Sequence, residues 1–510
     1  MAACLTVALR LPGLLDGLPY VRHPDEPVNY LVFHEMVATR SALPRFYVYP
    51  SLQYLVQGIP HAALLATGRV LGVWDSNDEL GLAPNGGVGT TLVMSKAPWL
   101  LARSITVAVA VVGVLLVVHL ATTLCRSRRW GAFAGTLAAV SGIGVSTGFL
   151  ITPDALAGTT ATATIALLIG LVHRPAGAWF MRQWSPLRWS IVTGLSLGLS
   201  VAAKYNNGLL ALAVVAAVFL VGRQDRPSLR QVALLLAVAA TTFLILNPAV
   251  LFDAHEFRRG VDELLGHYSA GHAGAEGGSL RANTKFLWNS DRIAVVLAIA
   301  GSVLVRNRTT WLLSGWVVGY TFLVSLSVVH FDRNLTSVLG ALAVVAAVGA
   351  QRLWVAAAEQ WHRDPHRAVR RPLVLACALL LLVPPTVSHT RDTVDALQVH
   401  LADPMSETRV WLDEQLPMDS SVLVEAYAPW IGPGRRVTHV VFIAQVPADL
   451  IAAHEIIVLT SSASGRFINK RDRYPTEAAV IDVLHANACA TRTHVDQFGF
   501  RVEVVFQQCP

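Results

Sequence analysis

The sequence predicts a polytopic α-helical membrane protein that ends in a small α/β domain, and three observations carry that prediction. Mean hydropathy is +0.50, with 54% hydrophobic and only 14% charged residues, against about 25% charged in soluble proteins. Apolar runs of roughly twenty residues, the length that crosses a bilayer, recur along the chain. Basic residues fall in short clusters between those runs, the pattern that membrane topology imposes. The formal charge of +7 therefore reflects topology, and nucleic-acid binding is set aside.

Eleven apolar segments can be read in order: 2–19, 98–124, 130–151, 154–172, 189–203, 208–222, 231–250, 292–305, 311–329, 335–357 and 372–388. With the N-terminus in the cytoplasm, the cytoplasmic loops carry Arg126, Arg128 and Arg129, then Arg174, Arg182 and Arg188, then Arg223, Arg226 and Arg230, then Arg306 and Arg308, and finally Arg363, Arg367, Arg370 and Arg371. Every short basic cluster lands on one side, which orients the chain. The first segment is short and interrupted by Arg10, Pro12 and Asp16. It has neither a basic start nor a small-residue cleavage site, so it reads as a span rather than a signal peptide.

Residues 20–97 are too polar to cross the membrane and form a first extracytoplasmic loop. Within it, 27–40 and 50–70 are apolar at helical spacing, and each opens on a Pro suited to a first turn. They read as helices lying in the interface, joined by the aromatic, basic stretch that contains Arg45, Tyr47 and Tyr49. A second extracytoplasmic loop covers 251–290.

The stretch His23-Pro24-Asp25-Glu26-Pro27 opens the first loop. A carboxylate pair at a membrane boundary is costly and is by default a candidate for chemistry or ion binding. Its structural alternative is to favour the positive end of the helix that follows. The same face holds Thr152-Pro153-Asp154, Lys204-Tyr205-Asn206-Asn207, and His330-Phe331-Asp332-Arg333. Asp154 can serve chemistry or cap a helix. Lys204 and Arg333 can snorkel, but cations are disfavoured in short outer loops and call for an anionic partner. His267, Tyr268, His272 and Glu276 crowd a Gly-rich stretch of the second loop. Two His five residues apart with no Cys nearby are a poor metal signature, so the stretch reads as a mobile lid hinged on its glycines, or as plain surface.

HPDEPVNYLVFHEMVATRSALPRFYVYPSLQYLV, FLITPDALAG, GLSLGLSVAAKYNNGLLAL, HYSAGHAGAEG and HFDRNLTSVLGALAVVAA occur in that order. Together they resemble the bacterial family 39 glycosyltransferases, which belong with the protein O-mannosyltransferases and aminoarabinose transferases of the GT-C superfamily. The resemblance covers residues 8–350 and extends to Ser461–Tyr474. It implies a GT-C fold with about eleven membrane helices plus interfacial helices. It also implies a bacterial inner (plasma) membrane location and an extracytoplasmic active site that takes sugar from a polyprenyl-phosphate-linked donor. The acceptor would be a glycan, a lipid or a protein.

Such a transfer needs a base for the acceptor hydroxyl, cations for the departing phosphate and an apolar groove for the lipid. Asp25 is the candidate base. Glu26 would orient the acceptor or help hold a divalent cation, Mg or Mn, the one cofactor the pair leaves room for. Lys204 and Arg333 are the candidates for the donor phosphate; Asp154, Tyr49, His267, Tyr268 and His272 are those for the substrate and acceptor loops. Adjacent carboxylates do not readily flank one glycosidic bond at the roughly 5–9.5 Å that hydrolysis requires. An oligosaccharide transferase with a pyrophosphate-linked donor is the enzymatic alternative. A lipid or sugar transporter is the non-enzymatic one, but it would favour internal repeats and charges near the midplane, and neither is visible.

Residues 1–388 thus form the membrane domain and 389–510 an extracytoplasmic α/β domain. In the latter, 407–416 and 476–488 read as helices, and 421–425, 455–459 and 499–506 as strands. It carries no phosphate loop or nucleophile motif, which leaves acceptor recognition or a stabilising lid as its role. Cys489 and Cys509 are its two cysteines and are placed to pair in an oxidising compartment, while Cys4, Cys125 and Cys377 lie in or beside spans and should be free.

Overall fold

The computed structural model describes residues 1–21, 23–83, 90–172, 184–221, 226–277, 279–363, 404–496 and 499–508. The segment 372–388, Cys377 and Cys509 lie outside them.

The helical part begins with α1 (Ala2–Arg10), the two-residue strand β1 (Tyr20–Val21), α2 (Asp25–Thr39) and α3 (Leu52–Val70). Strand β2 (Thr91–Leu92) pairs antiparallel with β1 and leads into α4 (Lys96–Cys125). There follow α5 (Arg128–Val140), α6 (Gly142–Thr147), α7 (Asp154–Val172), α8 (Pro186–Ala203), α9 (Leu210–Leu220) and α10 (Leu229–Leu246). The set closes with α11 (Ala249–Phe252), α12 (Ala254–Ala270), α13 (Ser279–Leu304), α14 (Arg308–Val324) and α15 (Thr336–Arg363).

Five described helices are both long and apolar enough to cross a membrane: α4, α7, α10, α13 and the continuous Asp332–Glu359 segment that contains most of α15. Ala2–Leu14 and Tyr205–Leu220 are apolar but shorter. The expected first span breaks after Arg10 into a 3-10 turn at Pro12–Leu14, as a Pro entering a helix dictates. The helices expected at 27–40 and 50–70 are present as α2 and α3. The expected loop 251–290 is mostly helix: α11, α12 and the start of α13 occupy it, and only the turn from Gly271 to Gly277 stays irregular. Gly271, Gly274 and Gly277 there all have positive φ, a region that only Gly enters without strain.

α7 is apolar all round and buried on every side, with Ala161, Ile165, Leu168 and Leu171 inside the main core. α15 runs against it where Thr336 meets Gly158 and Gly340 meets Thr162. Outside this centre, small residues let helices touch backbone to backbone. A Cβ on Gly194 or Gly198 of α8 would stand 2.5–2.6 Å from carbonyl oxygens of α10, so the four-residue spacing seats one helix directly on the other.

The C-terminal part is a five-stranded sheet in the order β4-β3-β5-β7-β6, built from β3 (Ser421–Glu425), β4 (Arg436–Val440), β5 (Ile456–Thr460), β6 (Ala490–Val495) and β7 (Arg501–Phe506). β3 is parallel to β4 and β5, while β7 is antiparallel to β5 and β6. The unbroken apolar runs of β3 and β5 are covered on both faces, as central strands require. Val422, Val424 and Val458 pack toward Leu412 and Leu416, while Leu423, Ile457 and Leu459 pack toward Phe467 and Ile481. Sequence periodicity misses the two edges, β4 and β6, because edge strands here are polar and half exposed. Cys489, which precedes β6, is disulfide-bonded, and Cys4 and Cys125 are free.

Glu425 ends β3 buried at 1% exposure. Burial pushes its carboxyl up from 4.5 to about 7, partly opposed by donors from Ser464 and Thr460. Ser464 Oγ and N donate at 2.6 and 3.1 Å. An acid whose folded pKa is raised contributes stability that is present below the unfolded value and lost as pH rises through the folded one. The sheet domain should therefore lose stability between pH 4.5 and 7. Amide exchange of β3 and β5 in the full chain, followed against pH, should show this loss; a dependence that is equally steep in Glu425→Gln would assign it to other groups.

Candidate active site

Pro24 and Pro27 start α2 two residues earlier than the sequence pattern indicates, so Asp25 and Glu26 lie in its first turn. His23 Nδ1 accepts from the Asp25 N–H at 3.2 Å. Consecutive helical residues point about 100° apart, and the two carboxylates accordingly serve different partners.

Glu26 turns inward. Its Oε1 accepts from Arg103 Nε at 3.0 Å and from the Ile151 N–H at 3.0 Å, and its Oε2 accepts from Arg103 Nη2 at 2.7 Å. Both side chains are 1% exposed. Arg103 Nη1 in turn donates to the carbonyls of Gly13, Leu14 and Asp16 at 3.2, 3.1 and 2.8 Å. The expectation that Glu26 meets an acceptor or shares a cation with Asp25 is corrected on this geometry. Its oxygens are filled by a buried ion pair that ties α2 to α4 and to the turn after α1. Sequence reading passed over Arg103; the available signal was one Arg inside an otherwise apolar helix, which asks for a partner.

Asp25 turns outward. Its Oδ2 pairs with Arg333 and accepts from the Tyr49 hydroxyl at 3.2 Å. Asp25 and Arg333 are each 23% exposed, so this pair, unlike the Glu26–Arg103 pair, can be reached by a ligand. Burial pulls the Asp25 carboxyl up, but Arg333 and His23 outweigh it and hold the group below the usual carboxylate range. Burial and the neighbouring Asp25 push the Tyr49 phenol well up, so it stays a donor.

Arg333 sits in a 3-10 turn, Asp332–Leu335, and lies over the Phe331 ring at 4.9 Å. Lys204, at the end of α8, is bonded to Asp154 at the start of α7 at 2.7 Å and reaches the Arg333 carbonyl at 3.4 Å. Tyr268 donates to Asn334 Oδ1 at 3.3 Å, and Tyr320 donates to the Asn334 carbonyl at 3.0 Å. His267 stacks on Phe331 at 6.1 Å, with His272 5.0 Å from His267. Burial lowers the pKa of both imidazoles, that of His272 to about 4 with help from Arg466, so both are neutral at pH 7. Asp25, Tyr49, Asp154, Lys204, His267, Tyr268, His272 and Arg333 thus gather at one end of the bundle, and only Glu26 faces elsewhere. Phe331, Tyr320 and Asn334 join them; apolar or uncharged residues beside a span carry no sequence signal of such a role.

Among the described residues no group of three His, Cys, Asp or Glu is placed to hold a metal ion. A divalent cation at Asp25 or Asp154 would have to displace Arg333 or Lys204, so the carboxylates as arranged do not fit one.

No protein-family model and no curated protein sequence matches this chain. Solved structures do. ArnT from Cupriavidus metallidurans bound to undecaprenyl phosphate aligns over 99% of this chain and 98% of its own, at 14% identity and a TM-score of 0.53. The oligosaccharyltransferase of Archaeoglobus fulgidus, in its apo form, aligns over 93% of this chain and 71% of its own, at 11% identity and a TM-score of 0.54. The chain has the GT-C fold. AglB from A. fulgidus, in complex with an inhibitory peptide and a dolichol-phosphate, is similar over 98% of this chain and 73% of its own, at 12% identity and a TM-score of 0.52. In this fold the charged cluster lies where α2, α7 and the Asp332–Leu335 turn begin and α8 ends, and the sheet domain packs beside it.

Proposed function

We propose that this multi-pass membrane protein is a glycosyltransferase of the family 39 kind, moving a sugar from a polyprenyl-phosphate-linked donor to an acceptor hydroxyl. We place the reaction on the extracytoplasmic face of a bacterial inner membrane, with the N-terminus in the cytoplasm. The observation that carries this reading is the accessible Asp25–Arg333 pair, backed by Asp154–Lys204. It joins a carboxylate able to take a proton to a guanidinium able to take a phosphate.

The steps follow from those groups. The donor phosphate competes with Asp25 for Arg333, and on winning it leaves Asp25 free beside the Tyr49 hydroxyl. The acceptor O–H bond breaks with its proton passing to Asp25. The acceptor oxygen bonds to the anomeric carbon, whose bond to the phosphate oxygen breaks, and the electron pair leaves on a phosphate neutralised by Arg333. One displacement inverts the anomeric configuration. Lys204, 7% exposed, holds Asp154 and the Arg333 main chain rather than presenting a free ammonium.

Arg333→Ala should weaken donor use by about 1.5–3 kcal/mol, the range for a hydrogen bond to a charged group. Removing the guanidinium also leaves burial as the main influence on Asp25, so the acidic limb of kcat/KM should move to higher pH. Lys204→Ala should act more weakly on donor affinity. Unchanged donor KM together with an unmoved acidic limb in Arg333→Ala would rule out both roles. The likeness to an oligosaccharyltransferase favours a second reading, in which the donor is a lipid pyrophosphate. Membranes containing the protein, supplied in parallel with labelled polyprenyl-phosphate sugar and labelled lipid-pyrophosphate oligosaccharide, decide between them. Transfer from neither donor removes the enzymatic reading and leaves a transporter.

A further inference from the structure

The sheet domain grips two loops, and these carry the two halves of the Asp25–Arg333 pair. On one side Tyr20 of β1, five residues before Asp25, is held by two groups of the domain. Arg409 lies 3.6 Å over its ring, and the Trp430 ring is 5.9 Å away. On the other side the Gly271–Gly277 turn is pinned to the segment that follows β5. Arg466 Nη1 donates to His272 Nε2 at 2.9 Å and to the Ala273 carbonyl at 3.1 Å. Lys470 bonds the Glu276 carboxylate at 3.2 Å, with that side chain 1% exposed. Ala273 packs against the domain's own core. The turn passes this grip onward, because Glu276 bridges Val329 and the His330 N–H donates to the Ala275 carbonyl at 3.0 Å. Arg333 is three residues beyond. His272 also lies 5.6 Å from Phe331, the ring beneath the Arg333 guanidinium.

Both grips come from helices and loops packed on the two apolar faces of one sheet, and such packed interiors deform little. Their separation is therefore set by the domain, not by the two loops. We propose that the C-terminal domain is a clamp that fixes the distance between Asp25 and Arg333, with Arg466 as a positioning residue for the transfer. This rests on the function proposed above. The residues that make the grips are committed to the membrane domain's own loops, which argues for a clamp over acceptor recognition as the domain's role.

The test uses the full chain in membranes or nanodiscs. Arg466→Ala should lower kcat by on the order of tenfold, since small misplacements at a reacting centre are amplified, and Arg466→Lys should restore most of the loss. In an Asp25→Asn background the same Arg466→Ala change should cost less than about twofold, because the base that the clamp holds at a fixed distance from Arg333 is already gone. Amide exchange should quicken at 271–277 and at 330–335 in Arg466→Ala, and in the first turn of α2 in Trp430→Ala, with β5 unchanged. An equal loss in both backgrounds would show that Arg466 acts independently, as an acceptor contact would, and overturns the proposal. So does unaltered exchange at 330–335. If the wild-type protein transfers sugar from no lipid donor, the functional reading falls, while the exchange measurements still decide whether the clamp exists.

Discussion

Asp25→Asn is expected to lower the transfer rate by roughly 10²- to 10⁴-fold, the usual contribution of a positioned base, while the protein folds and binds its lipid donor. Asn keeps the size of the side chain and can still accept from the Tyr49 hydroxyl, which is bonded to Asp25 at 3.2 Å. It cannot take a proton, and it loses the charge that holds Arg333. Those two losses act in opposite directions on the donor. With no carboxylate competing for it, Arg333 is more available to a phosphate, so donor affinity should hold or improve as the rate collapses. Single-turnover transfer from a labelled polyprenyl-phosphate sugar, with donor binding measured separately, separates the two. A well-folded Asp25→Asn protein with near-normal transfer, or a product of retained anomeric configuration, would overturn the assignment of Asp25 as base.

The neighbouring residue should behave in the opposite way. Glu26→Ala is expected to destabilise the folded protein by about 3–5 kcal/mol, the cost of stranding one member of a buried ion pair. Arg103 would be left 1% exposed with its Nε and Nη2 unpaired, and the Ile151 N–H would lose its acceptor. Arg103→Met should be comparably harmful, because the carbonyls of Gly13, Leu14 and Asp16 would lose their shared donor. Joining Glu26→Leu to Arg103→Met removes both charges and should recover part of the loss. Recovery is incomplete for the same three carbonyls. Thermal unfolding in detergent and yield of folded protein provide the readout. A Glu26→Ala protein that is as stable as the wild type yet inactive would return Glu26 to the chemistry.

The pair thus predicts two unlike phenotypes from adjacent positions, and the reason is helical geometry. Read as a loop, Asp25-Glu26 looks like one site. Wound into the first turn of α2, the two side chains diverge by about 100°, one toward Arg333 and the other toward Arg103.

How far the sequence reached differs from one part of the molecule to another. Hydropathy and the Arg clusters identify a multi-pass membrane protein, because twenty apolar residues have few other uses and each stretch of about twenty reports on itself. The same local logic finds α2, α3 and the inner strands β3, β5 and β7. It fails at the polar edge strands, whose sheet partners supply what their own pattern lacks. At the cluster, the residue types at the ends of apolar segments point to Asp25, Asp154, Lys204 and Arg333, since charge near hydrocarbon asks for a reason wherever it occurs. Their pairing could not be read. Asp25 with Arg333, Asp154 with Lys204 and Glu26 with Arg103 join residues 308, 50 and 77 positions apart. Only the packing of the helices decides which charge meets which, because each buried charge takes the partner the fold brings to it.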